Sequence, residues 1–461
     1  MLTVAVACAP EEVTSETAPL AAPETLTPPI APATTTAVVV TATAEKRNSL
    51  YLIDPLTLDP IERAETMRLG DWVWGMSSPN GAWLALRVGN DNNTTEEMHL
   101  IDVAGWKDVA SWSPAAEQLL AVGDDGSIYT MVGAGGSVSR WTVEGVGPER
   151  EVDLPSNFYP RQRAHFDERK VYLFGGISDS SGETQLAAIL VAELEGGAGT
   201  TIELPDVEVG VIQTVDIGED FFPSLYASPT VVWDVDMERA LVVHADVDIV
   251  TEVDMATGGI VEHSYGAEAS LVGRLFAWLA PPANAKGGYG ETRRSAVLSG
   301  DGSTLFVATS IGNIEMSDDD WSVTTVSSGI VAIDTGSWEV IDRLDAPISD
   351  IALSPDGARM IGYGGEMRES PSDSGYESRG YYVIDAEDLE VVSSHRTDDP
   401  YSSFSTVDFG STGKVGYVGY YDFYGQMSID IVALEDGTVV GTVTGTDLQL
   451  FSQAGVLGVT E

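Results

Sequence analysis

IALSPDGARMIGYG, residues 351–364, reads as an apolar alternating run, a four-residue turn and a second apolar run. That phrase is a strand–turn–strand hairpin. It recurs in varied form as WGMSSPNGAWLAL (74–86), VASWSPAAEQLLAV (109–122), RAHFDERKVYLFGG (163–176), TVVWDVDMERALVV (230–243), SAVLSGDGSTLFVAT (295–309) and STVDFGSTGKVGYVG (405–419). Each copy is followed by a second pair of strands, clearest in GIVAIDTGSWEVIDRL (329–344), YYVIDAEDLEVVSS (381–394) and IDIVALEDGTVVGTV (429–443). In these, a polar turn around Asp, Thr or Gly joins two apolar runs. Helical periodicity is sustained nowhere after residue 49, so the domain 49–461 reads all-β. Four antiparallel strands per unit, repeated along the chain, predict a β-propeller.

The chain ends complete the count. LYLIDPLTLDPIERA (50–64) reads as a second hairpin without a first, and DLQLFSQAGVLGVT (447–460) as a first hairpin without a second. Joined, they would make a composite blade that closes the ring and hides sheet edges. The expectation is eight four-stranded blades. Seven is the alternative, because the unit around 98–112 has little room for a fourth strand.

The SPDG turn, the apolar strand after it and the following V-I-D-x-x-x-x-E-V pattern resemble YVTN-type and related WD-repeat-like bacterial propellers. Residues 295–394 carry the resemblance best, and it thins between 130 and 290. It implies blades; lyases and lactonases share such an architecture, but fold alone does not transfer activity.

Strand alternation sorts the loops onto two faces. Loops within hairpins are tight, as in SPDG, SGDG, GSTG, DTGS and EDGT. Loops between hairpins are long, at 88–97, 175–185, 310–328 and 365–379 within blades and near 144–160, 205–225 and 265–292 between them. A fold needs only tight turns, so the long-loop face is the expected binding surface. Its candidate contact residues are Arg293, Arg294, Trp321, Arg368, Tyr376 and Arg379. Arginines here suit an anionic group such as a carboxylate, or simply pair with neighbouring acids.

The chain holds 72 Asp plus Glu against 23 Lys plus Arg, a formal charge of −49. Such a field repels phosphate backbones and argues against nucleic acid as a partner. It suits a surface kept hydrated in salty water. The one cysteine rules out an internal disulfide. It ends the opening run MLTVAVAC, and Ala5-Val6-Ala7-Cys8 resembles the lipobox of secreted lipoproteins, in which the thiol is lipidated. The match departs from that pattern: Ala5 stands where Leu is usual, and no basic stretch precedes it. Residues 1–8 are thus expected as a partial lipoprotein-type signal. Residues 9–48, biased to Pro, Thr, Ala and Glu, are expected as a disordered spacer, with 37–44 an optional edge strand. Membrane contact would run only through that anchor.

Chemistry-bearing patterns are sparse. The chain has no HExxH, CxxC, P-loop, GxSxG or nucleotide-binding glycine pattern. His165, with Arg161 and Arg163 on one strand parity at the channel, is the candidate catalytic constellation. Asp234 and Asp236, and Asp318, Asp319 and Asp320, are the candidate ligands if calcium binds, although no known calcium-loop spacing is present; no other cofactor is expected. The expected function is an extracytoplasmic, lipid-anchored module that binds a protein, glycan or peptide. The alternatives are a lyase- or lactonase-like enzyme at the channel mouth, and a structural envelope component.

Overall fold

The computed structural model describes residues 34–36, 38–44, 47–53 and 67–68, most of 72–445, and 458–460; the segments 161–163, 215–223, 235–236, 267–288 and 317–320 lie outside the described residues. Five separate sheets of four or five antiparallel strands follow one another along the chain, over 72–112, 118–153, 158–204, 230–264 and 403–445. A ten-stranded sheet holds 289–395 together with Gly210–Thr214 and Ser224–Ser228.

Strand Gln185–Glu193 shows how these sheets come together. Ala187, Ile189 and Val191 join a buried cluster shared with the 230–264 sheet, while Ala188, Leu190 and Ala192 join one shared with the 118–153 sheet. Both faces are covered, so the strand reads as a continuous apolar run rather than an alternating one. Arg239–Val243 repeats this, with Ala240 and Val242 on one side and Leu241 and Val243 on the other. Further clusters join 72–112 to 118–153, the two halves of the ten-stranded sheet to each other, and its second half to 403–445. Sheets stacked face to face in chain order are the architecture of a β-propeller. The stacking is driven by burial, at roughly 1.5–3 kcal/mol for each large aliphatic side chain removed from water.

The tight turns are built alike. Asp301 Oδ1 accepts from Ser299 Oγ at 2.6 Å and from the Ser303 N–H at 3.0 Å. Asp356 Oδ1 accepts from Ser354 Oγ at 2.7 Å and from the Ala358 N–H at 3.1 Å. The next residue, Gly302 or Gly357, takes φ 72° or 71°, which a Cβ would disfavour.

The blade count departs from expectation. Five separate blades stand where the sequence predicts eight, with seven as the alternative. The cause lies in segments 310–328 and 365–379, expected as loops. They are hairpin arms, and Val323–Val326 of one pairs with Glu366–Glu369 of the other, fusing two repeats into one sheet. Their β-branched residues (Val323, Thr324, Thr325, Val326) favour strand over loop. VASWSPAAEQLLAV is likewise no hairpin: Lys107–Trp112 is the fourth strand of one sheet and Gln118–Val122 opens the next. Most of the expected composite blade, 54–64 and 447–457, lies outside the described residues. Arg47–Ile53 pairs with Val38–Ala44 and Met67–Arg68, and Gly458–Thr460 pairs with Thr34–Thr36 in a two-stranded sheet of its own.

Candidate functional site

The hairpin arms and their neighbours form one connected β layer on the long-loop side. In order it contains Gly210–Thr214, Ser224–Ser228, the start of Tyr289–Leu298, the arm 310–327 and the arm 365–378. Ser224–Ser228 runs parallel to 289–293, the one parallel pair among the described residues. All six ligand-face candidates lie on its strands or at its roots. Arg293 stands between Ser228 and Ser310 in register, and Arg368 between Thr324 and Gly375; Trp321 faces Met316, and Tyr376 faces Met367.

The arginines whose side chains are described are engaged. Arg294 is buried, donating to the Ala245 carbonyl at 3.2 Å, to Asp248 Oδ1 at 2.8 Å and to the Tyr265 hydroxyl. Arg293 pairs with Asp350. Arg379 bridges Glu366 at 3.0 Å and Glu377 at 2.8 Å. What the layer exposes is a cross-strand row that the sequence reading missed. Ile311 faces Val326, Val326 faces Glu366 and Glu366 faces Glu377 in register. Ile311 is 50% exposed and Val326 45%. No periodicity flags two aliphatics in an arm; only their pairing brings them together.

A cavity of about 530 Å³ lies on the opposite, tight-turn side, where the first strands of four successive repeats gather. His165, Val232, Trp233, Val297, Leu298 and Leu353 line it. His165 stacks against Tyr172 and Trp233, with ring centroids 5.7 and 6.1 Å away. Strand parity does not select the lining: Val232 packs towards one neighbouring sheet and Trp233 towards the other, yet both rim the cavity. Arg161 and Arg163 lie outside the described residues, so of that constellation only His165 is placed.

A larger cleft of about 750 Å³ adjoins it between the halves of the ten-stranded sheet. Asp301, Asp356 and Asp385 line this cleft, each tied into its own turn or to Arg359. Asp234 is buried and holds Arg239 Nε at 2.8 Å, which commits one of its oxygens. Asp236, Asp318, Asp319 and Asp320 lie outside the described residues. Among the described residues no three His, Cys, Asp or Glu side chains gather as a metal-holding group.

No protein-family model and no curated protein matches the chain. Solved structures resemble it in fold at low identity. A structure of the eukaryotic initiation factor shares 9% identity over 89% of this chain and 96% of that one, with a TM-score of 0.48. KlHsv2, with its loop 6CD replaced by a Gly-Ser linker, shares 9% over 83% and 98%, at 0.43. An oligogalacturonate lyase in complex with manganese shares 12% over 84% and 94%, at 0.41.

Proposed function

We propose that the chain is an extracytoplasmic propeller that binds a macromolecular partner through the β layer on its long-loop side. The observation that carries this is the layer itself. Insertions from several repeats, which stacking does not need, join into one surface bearing an exposed aliphatic pair beside two glutamates. A protein or peptide with apolar side chains complements the Ile311–Val326 pair, and the net charge of −49 favours a basic partner over an acidic one; Glu366 and Glu377 are themselves held by Arg379. The arginines' engagement with acids argues against anion capture by Arg293, Arg294 or Arg379.

The test is to replace 311–326 and 366–377 by two-residue Asn-Gly turns and compare binding to peptide and glycan arrays. Loss of peptide binding with unchanged circular dichroism and thermal midpoint supports the reading. An unchanged array profile sinks it. Anchoring through lipidated Cys8, with the residues between it and the strand at Thr34–Thr36 as spacer, belongs to the same proposal. The wild-type chain should partition into detergent and its Cys8→Ser variant into water; equal partitioning removes the anchor.

The channel-side cavity supports holding a ligand more than catalysis. Its described lining is apolar apart from His165, Ser354 and two glycines, which offers little acid–base machinery for a lyase or lactonase.

A further inference from the structure

The cavity beneath the tight turns makes a second demand on the molecule, separate from the long-loop surface. Val232, Trp233, Val297, Leu298 and Leu353 around it are only half-buried. Apolar side chains left partly in contact with water at the end of stacked strands are costly unless something covers them. At about 530 Å³ the space falls within the range of small-molecule sites, which are mainly apolar with a few polar groups. One wall is aromatic: His165 stacks with Trp233 and with the buried ring of Tyr172, and Trp233 and Tyr172 lie tilted to each other.

Charge narrows the ligand class. A net charge of −49 disfavours anionic ligands overall. Among the described lining residues no carboxylate is present to pair a cation, in contrast to the adjoining cleft with Asp301, Asp356 and Asp385. We propose that this cavity is a binding site for a small uncharged molecule with an aromatic or fused-ring body, stacked against Trp233 and His165.

Gly300 gives a clean way to test this. It lies at the mouth, lining both the cavity and the cleft, and a Cβ built on it meets nothing within 4 Å. Gly300→Trp therefore sets a bulky ring at a position lining both cavities, from an open Cβ site. The full chain is titrated with N-phenyl-1-naphthylamine, an uncharged probe whose emission rises in apolar surroundings, and in parallel with the anionic 8-anilino-1-naphthalenesulfonate. The expected result is saturable binding of the uncharged probe, about tenfold or more weaker in Gly300→Trp, and unchanged in Ile311→Ser on the opposite layer. Should Gly300→Trp fail to fold, Trp233→Phe decides. At saturating probe it should lose more than the one-tenth of tryptophan-excited probe emission that ten equivalent Trp residues would each contribute. Wild-type binding by Gly300→Trp, equal affinity for the sulfonate, or no excess loss in Trp233→Phe each overturns the proposal.

Discussion

Gly437 closes a turn at φ 70°, and a Cβ there would stand 1.9 Å from Ser393 Oγ and 2.5 Å from its Cβ. Gly437→Ala should lower stability by about 1–3 kcal/mol, read as a shift of the urea midpoint without a change in slope. His244 supplies a pH dependence. It is 1% exposed, shares a hydrogen bond with Thr251 Oγ1 at 2.7 Å, and burial lowers its pKa from 6.5 against the pull of Asp246 and Glu262. The unfolded chain takes up that proton near 6.5 and the folded chain only at a lower pH. The stability from neutral His244 is thus complete above 6.5 and lost as pH falls towards the folded value. Urea midpoints at pH 7.5 and 5.5 should differ less in His244→Gln than in wild type. Further down, Ser299 and Ser303 hold Asp301 at about 2, so its contribution is present above 3.8 and fades as pH falls through about 2. The Asp-Gly turns were legible at this scale, because the residues that set them are adjacent in sequence. The burial of Arg294 was not, since Asp248 and Tyr265 reach it from another sheet.

Strands buried on both faces carry the stability of the elements. Ile189 is fully buried within a stacked sheet, whereas Ile341 is 58% exposed on an outer strand. Ile189→Ala should cost about 2–5 kcal/mol and Ile341→Ala within about 0.5 kcal/mol, compared in one denaturation series. Equal costs would contradict the stacking. The arms behave differently because their side chains are not packed between sheets. Ile311→Glu and Val326→Glu should leave the thermal midpoint within a degree or two yet abolish peptide binding, measured side by side. These arms were misread as loops because a polar, β-branched stretch without core contacts carries little apolar alternation. Their β-branched residues favour strand, but which strands pair is decided by the arms meeting each other, which no local pattern encodes.

The whole molecule carries its charge as a mutual repulsion. With −49 spread over its surface, the folded state gains from screening. The thermal midpoint should rise steadily between low and molar sodium chloride, and sodium sulfate should raise it further. A midpoint indifferent to salt would mean that repulsion among the carboxylates contributes little to the free energy of the folded state.

The all-β class, the hairpin repeat and the turn chemistry were set by the sequence alone, because each depends on residues a few positions apart. So was the side on which insertions gather, which follows from strand alternation. The fusion of two repeats into a ten-stranded sheet, the pairing of Gly458–Thr460 with Thr34–Thr36, and the convergence of His165, Trp233, Val297 and Leu353 on one cavity were decided only in three dimensions. Those contacts join residues far apart along the chain, and what selects them is the burial and hydrogen bonding available once the sheets have stacked.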